Sequence, residues 1–189
     1  MPTALIPRDE VVRRLFDAFR TYGYEGATLA RLSEATGLGR ASLYHYFPGG
    51  KEGMAREVLG LAGEWIRTNV NAPLIDPGVP VATRLKTALR NVANGYENGL
   101  TACLINIFGI GDAGDLVRVE LVEAASLYSH GFERLLLDAG VPKGKAREIA
   151  LDTVIQIEGA LVMARALDDR SIFTKRIHNL EKQYLALIG

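Results

Sequence analysis

The chain has a single cysteine, Cys103, in 189 residues. One thiol excludes an intramolecular disulfide, and with it the cross-linked scaffold of small secreted domains. Aromatic residues make up only 7% of the sequence, so the apolar mass falls to Leu, Ala, Val and Ile and suits helices. No run of some twenty apolar residues occurs, and no membrane span is expected. The start, MPTALIPRDEVV, lacks a basic stretch followed by an apolar one, so a soluble, cytoplasmic protein without a secretory signal is expected. An excess of either charge is also missing: 22 basic residues face 22 acidic ones. That excludes a polybasic binder held by bulk charge, since binding to phosphate scales with the cations presented, but it leaves room for a few placed groups. The histidines, at 45, 130 and 178, are too scattered for a metal site, and no cofactor is expected.

What is present is a helical pattern. With 48% hydrophobic residues the chain can bury a core, and the apolar spacing is three and four nearly throughout. Val11, Val12, Leu15, Phe16 and Phe19 predict a helix over about 8–22, with Gly23 just past its end. Thr28 caps a second helix with Leu29, Leu32 and Ala35 on its inner face, and Gly37 ends it. A short third helix, 40–47, is stopped by Pro48-Gly49-Gly50, and 51–70 forms a fourth. NAPLIDPGVP (71–80) is the clearest linker. Helices over 81–96, 115–139 and 143–168, with a last one capped by Ser171, complete an all-α fold; a short apolar segment occupies 103–110.

The helix over 143–168 is apolar on more than one side, through Ile149, Val154, Ile155, Ile157, Leu161, Met163 and Leu167. Such a helix must be buried on more than one side. Together with Ile177, Leu180, Tyr184 and Leu187 of the last helix, that surface suggests a homodimer through the two C-terminal helices, with Gly159 and Ala160 permitting close approach.

Residues 28–47 have the anatomy of a helix-turn-helix: helix, tight turn at Gly37-Leu38-Gly39, second helix. In that motif the second helix enters the major groove of DNA. Leu43 and Phe47 face the core with Leu32 and Leu29, which leaves Arg40, Ala41, Ser42, Tyr44 and His45 outward. Arg40 can donate twice to guanine, Ser42 is a short adaptable donor, and Ala41 can meet a thymine methyl. Tyr44 and Lys51 suit phosphate oxygens, as does Thr28 at a helix N-terminus.

The segment GYEGATLARLSEATGLGRASLYHYFPGGKEGM (23–54) resembles the DNA-binding head of the TetR family of transcriptional regulators. The matching positions are Gly23-Tyr24, Gly26, Thr28-Leu29, Leu32, Ala35, Gly37, Ser42-Leu43-Tyr44, Phe47 and Lys51-Glu52. Two positions depart from the pattern: Tyr46 stands where many members have histidine, with His45 one earlier, and the turn at Pro48 is one residue longer. FPGGKE is similar to the LmrA/YxaF-like branch. The resemblance implies a DNA-binding domain over 1–50, with Thr28, Arg40, Ala41, Ser42, Tyr44, His45, Tyr46 and Lys51 at the DNA, and a ligand-binding and dimerisation domain over 51–189. It implies a palindromic double-stranded operator as partner and a small-molecule inducer in a pocket among the middle helices. Trp65, Tyr96, Cys103, Asn106, Phe108, Tyr128 and Gln156 are candidates to line that pocket, which suits a mostly apolar molecule. Over the first 52 residues seven basic side chains face six acidic ones, so affinity should come from two heads about 34–36 Å apart, or a multiple of that.

Residues 109–114, GIGDAG, match G-x-G-x-x-G formally and follow the strand-like CLINIF, yet no second strand follows and a dinucleotide site is not expected. Cys103 has no histidine at a spacing that supports a catalytic dyad, so it is expected to be a buried small hydrophobe. Two other classes stay open: a helical enzyme using Cys103, and a helical dimer that binds a partner or small molecule but no DNA.

Overall fold

Alternating three- and four-residue spacing of Val11, Val12, Leu15, Ala18 and Phe19 winds Arg8–Gly26 into α1 of the computed structural model. The structure describes residues 6–111 and 113–188, and among them no strand occurs. Gly23 takes φ +70°, a left-handed value that suits glycine, and the regular part of α1 ends there. Then come α2 (Leu29–Thr36), α3 (Arg40–Tyr46) and α4 (Gly50–Ile66). The chain continues through a π-helical turn (Arg67–Asn71), α5 (Ala72–Ile75), α6 (Val81–Gly95), a 3-10 turn (Glu97–Gly99) and α7 (Leu104–Phe108). Last come α8 (Ala113–Leu116), α9 (Arg118–Asp138), α10 (Lys143–Ala166) and α11 (Ser171–Ile188).

The chain divides into two compact units. The head unit runs through Ala62 and also takes in Leu104–Val122; the body unit comprises Gly63–Cys103 and the chain from Glu123 onward. The head is therefore larger than residues 1–50. The reason is the apolar segment after Cys103, which folds as helix and not as strand: the Phe108 ring lies 5.3 Å from Phe19 and 5.8 Å from Tyr24, and Val117 is fully buried in the same core. Phe108 and Asn106, expected in a ligand pocket, belong to this unit.

The body buries Leu85, Leu89 and Val92 of α6, Phe132 and Leu135 of α9, Ile157 and Leu161 of α10 and Phe173 of α11. Two polar links, one fully and one partly buried, pin it. Thr153 and Tyr184 share a hydrogen bond of 2.8 Å, and Arg84 donates to Asp138 at 2.8 Å and to the Val79 carbonyl. NAPLIDPGVP is not a link between the units; Leu74 is fully buried and the stretch joins the π turn to α6 inside the body. In α11, Ile177, Leu180 and Tyr184 are buried within the body's own core, so they are not free to meet a partner. The exposed apolar stripe lies on α10, at Leu151, Ile155, Val162 and Met163, with Leu167 just past its end.

Candidate nucleic-acid interface

Local chemistry fixes the turn between α2 and α3. The Thr28 hydroxyl accepts from the Arg31 amide at 3.3 Å and caps α2. Gly37 ends α2 at φ +72°, its amide donating to the Ser33 carbonyl at 2.9 Å. Thr36 is fully buried; its hydroxyl donates to the Leu32 carbonyl (2.7 Å) and accepts from the Leu38 amide (3.3 Å). The Ser33 hydroxyl donates to the Leu38 carbonyl, and Arg14 of α1 donates to the Thr36 carbonyl at 2.9 Å. The Ser33, Thr36 and Leu38 carbonyls and the Gly37 and Leu38 amides are thus given partners from within the head.

On that base α3 presents two faces. Leu43 is fully buried and Phe47 is 2% exposed, packed with Leu32 and Leu15. Arg40, Ala41, Ser42, Tyr44 and His45 are exposed side by side. Gly50 takes φ +61°, and a Cβ there would sit 3.4 Å from the Tyr44 ring, so the turn after α3 both needs glycine and backs the tyrosine.

Tyr46 departs from the expected arrangement. Its hydroxyl donates to the Ile6 carbonyl at 2.7 Å, and its carbonyl accepts from Arg8 at 2.6 Å. Arg8 also pairs with Glu57 and lies 4.8 Å over the Phe47 ring. Tyr46 is therefore half-buried and tied to the start of α1, which its aromatic character on a short helix did not reveal. Lys51 lies 4.3 Å over the Tyr24 ring, and burial lowers its ammonium pKa against an opposing pull from Glu25. Burial, then Glu52 and Glu25, raises the Tyr24 phenol. Arg31 was not anticipated: its guanidinium stacks 4.5 Å over Tyr22 and donates to the Gly26 carbonyl at 2.8 Å.

The body gathers part of the expected ligand set. Trp65 and Tyr96 lie edge to face at 6.1 Å, Tyr96 meets Phe173 at 6.3 Å, and the buried Cys103 is a neighbour of the Tyr96 hydroxyl. Burial raises the Tyr96 phenol well above its ordinary value, with Cys103, Tyr128 and Glu158 adding to the shift. Tyr128, fully buried, is raised by burial and then by Glu158 and Cys103. The carboxylate oxygens of Glu158 are buried. Gln156 lies elsewhere, in an outer groove of about 580 Å³ between α10 and α11, where it donates to Asp152 and accepts from Arg176 at 3.0 Å. Residues 109–111 follow α7 and 113–114 open α8, so helix stands where a dinucleotide fingerprint needs a strand; Asp112 lies outside the described residues. Among the described residues there is no cluster that could hold a metal ion, and no helix is long and apolar enough to cross a membrane.

Residues 15–58 match the profile of bacterial regulatory proteins of the tetR family. The chain is 24% identical over 166 residues to the HTH-type transcriptional regulator LmrA of Bacillus subtilis, covering 83% of this chain and 85% of LmrA. It is 39% identical over 66 residues to the HTH-type transcriptional repressor AcnR of Corynebacterium efficiens, covering 33% of this chain and 35% of AcnR. Among solved structures, the TetR family transcriptional regulator CifR, as a cysteine mutant with 26-bp double-strand operator DNA, superposes with a TM-score of 0.75 at 25% identity, covering 96% of this chain and 98% of that one.

Proposed function

From a chain that belongs to the tetR family of bacterial regulatory proteins, we propose a dimeric, ligand-responsive repressor that a small, mostly apolar molecule releases from a palindromic operator. The observation that carries it is the face of α3, where Arg40, Ala41, Ser42, Tyr44 and His45 stand exposed on a helix whose other side is spent on the core. Arg40 is assigned to a guanine edge, Ala41 and Ser42 to neighbouring bases, and Thr28, Tyr44 and Lys51 to phosphates. Tyr46 supports this surface from behind.

CifR, with its operator duplex, and the repressor AcnR support DNA binding and repression. The exposed stripe of α10 supports a homodimer: apolar side chains in a row on one helix are left to be covered by another copy. For the inducer, the supporting group is Trp65, Tyr96, Cys103 and Tyr128, aromatic walls with a few polar atoms. DNA requires one spacing of the two heads and the ligand favours another. Release is then limited to the ligand's difference in affinity between the two states.

The test is a gel shift of the purified protein on DNA flanking its own gene, with excess non-specific competitor. A competitor-resistant band that Arg40→Ala weakens selectively for the cognate sequence is expected. No specific band there, and none after selection from random DNA, would sink the proposal.

A further inference from the structure

Nothing in the local sequence breaks a helix at Val117. The run Asp115-Leu116-Val117-Arg118-Val119-Glu120-Leu121 holds neither glycine nor proline, and helical spacing predicts one continuous helix through it. Yet α8 ends at Leu116 and α9 starts at Arg118. The cause is tertiary. In an unbroken helix the Leu116 carbonyl would accept from the Glu120 amide. Here it accepts from Arg56 Nη2 at 2.5 Å. The backbone bonds on either side persist: Val117 N–H donates to the Ala113 carbonyl at 3.1 Å, and Leu121 N–H to the Val117 carbonyl at 3.0 Å.

The same guanidinium donates through Nη1 to the Glu120 carboxylate, and through Nη2 and Nε to Glu52 at 2.7 and 3.2 Å. It therefore holds the first turn of α4, the end of α8 and the first turn of α9 at once, all within the head unit. The other Glu120 oxygen is buried with no hydrogen-bond partner, so the carboxylate depends on Arg56 for its compensation. Two arrangements then compete. One has the broken helix with Glu120 paired; the other has the continuous helix that the residues prefer, with Glu120 carried toward water.

We propose that Arg56 is the latch of this two-state segment and a positioning residue for the DNA face. Latched, it tethers Glu52, the neighbour of Lys51; released, the segment from Ala113 closes through Val117 and the start of α4 loses its tether. This rests on the head being the DNA-binding unit and adds its regulation. Whatever shifts residues 104–122 reaches the DNA face through Arg56.

The test is residue-resolved amide exchange, by NMR on the full-length protein, in Arg56→Ala. A merely structural tether predicts faster exchange across 116–122 when it is cut. The latch predicts the opposite at Glu120, whose amide gains the Leu116 carbonyl and exchanges about tenfold more slowly. Adding Arg118→Pro should abolish that protection, because proline is tolerated at a first helical position and not inside a continuous helix. Unchanged or faster Glu120 exchange in folded Arg56→Ala overturns the proposal. Should that variant not fold, Arg56→Lys, which keeps the charge and loses the fork, carries the same test with a slowing of roughly twofold or more. Exchange needs no operator, so a missing gel shift would remove the DNA-binding reading and leave the latch intact. Where an operator is found, Arg56→Ala should weaken it about fivefold with an unchanged salt slope, because Arg56 is assigned no phosphate.

Discussion

The seven-residue α3 and the 24-residue α10 use burial in opposite ways. α3 buries Leu43 at its middle and Phe47 just past its end, and exposes polar, basic and aromatic groups that water already satisfies. α10 buries eight residues and still exposes four large apolar ones, while Glu158 on the same helix hides its carboxylate oxygens. On a recognition surface, function sits in what the helix can afford to leave wet. In the body, the exposed apolar side chains of α10 are the ones that burial within the chain does not explain.

The largest effect is expected at the base of α3. Leu43→Ala should cost about 2–5 kcal/mol, since it empties a fully buried site, and should lower the head's melting temperature and abolish operator binding together. On α10 the effect should instead fall on assembly. Ile155→Glu, at a position 59% exposed, should leave the circular dichroism spectrum unchanged and yield monomers by size-exclusion chromatography with light scattering. If the variant elutes as wild type, the stripe is not the dimer face.

Arg40→Ala should remove about 1–3 kcal/mol of discrimination between cognate and mutated operators. Uniform loss on all sequences would make Arg40 a phosphate contact. Tyr46→Phe should cost about 0.5–1.5 kcal/mol of stability through the lost bond to Ile6, with operator affinity of the folded protein unchanged. A fall in affinity would return Tyr46 to the DNA surface.

The smallest effect concerns the body's phenols. Tyr96 and Tyr128 are held neutral well above the ordinary value of 10.0, so the unfolded chain releases their protons first as pH rises. Their contribution to stability is full below about pH 10 and declines above it. Tyr128→Phe should flatten that alkaline decline in melts followed from pH 8 to 11 while changing little at neutral pH. An unchanged slope would mean that Tyr128 ionises freely in the folded state.

The head was legible because its determinants are close in sequence. The Thr28 cap, the left-handed Gly37 and the four-residue step from Leu43 to Phe47 fix α2, the turn and the outward face of α3 within twenty residues. Tyr46 escaped because its partners, Ile6 and Arg8, lie some forty residues away. The ligand-side expectations scattered for a related reason. Composition marks Phe108, Gln156 and Tyr128 alike as wall-forming side chains. Packing then sends Phe108 into the head core, Gln156 into an outer groove and Tyr128 into the buried group of the body.

Sequence alone determined the helical class, the helix-turn-helix and the residues its second helix turns outward, because caps, glycine turns and apolar periodicity act over one or two turns of chain. Only the tertiary structure decided that residues 104–122 join the head, that Ile177, Leu180 and Tyr184 of α11 are buried in its own body while Leu187 stays exposed, and that a helix with no breaker parts at Val117. Those outcomes depend on side chains far apart in sequence, such as Phe19 with Phe108 and Arg56 with the Leu116 carbonyl, whose meeting no local preference encodes.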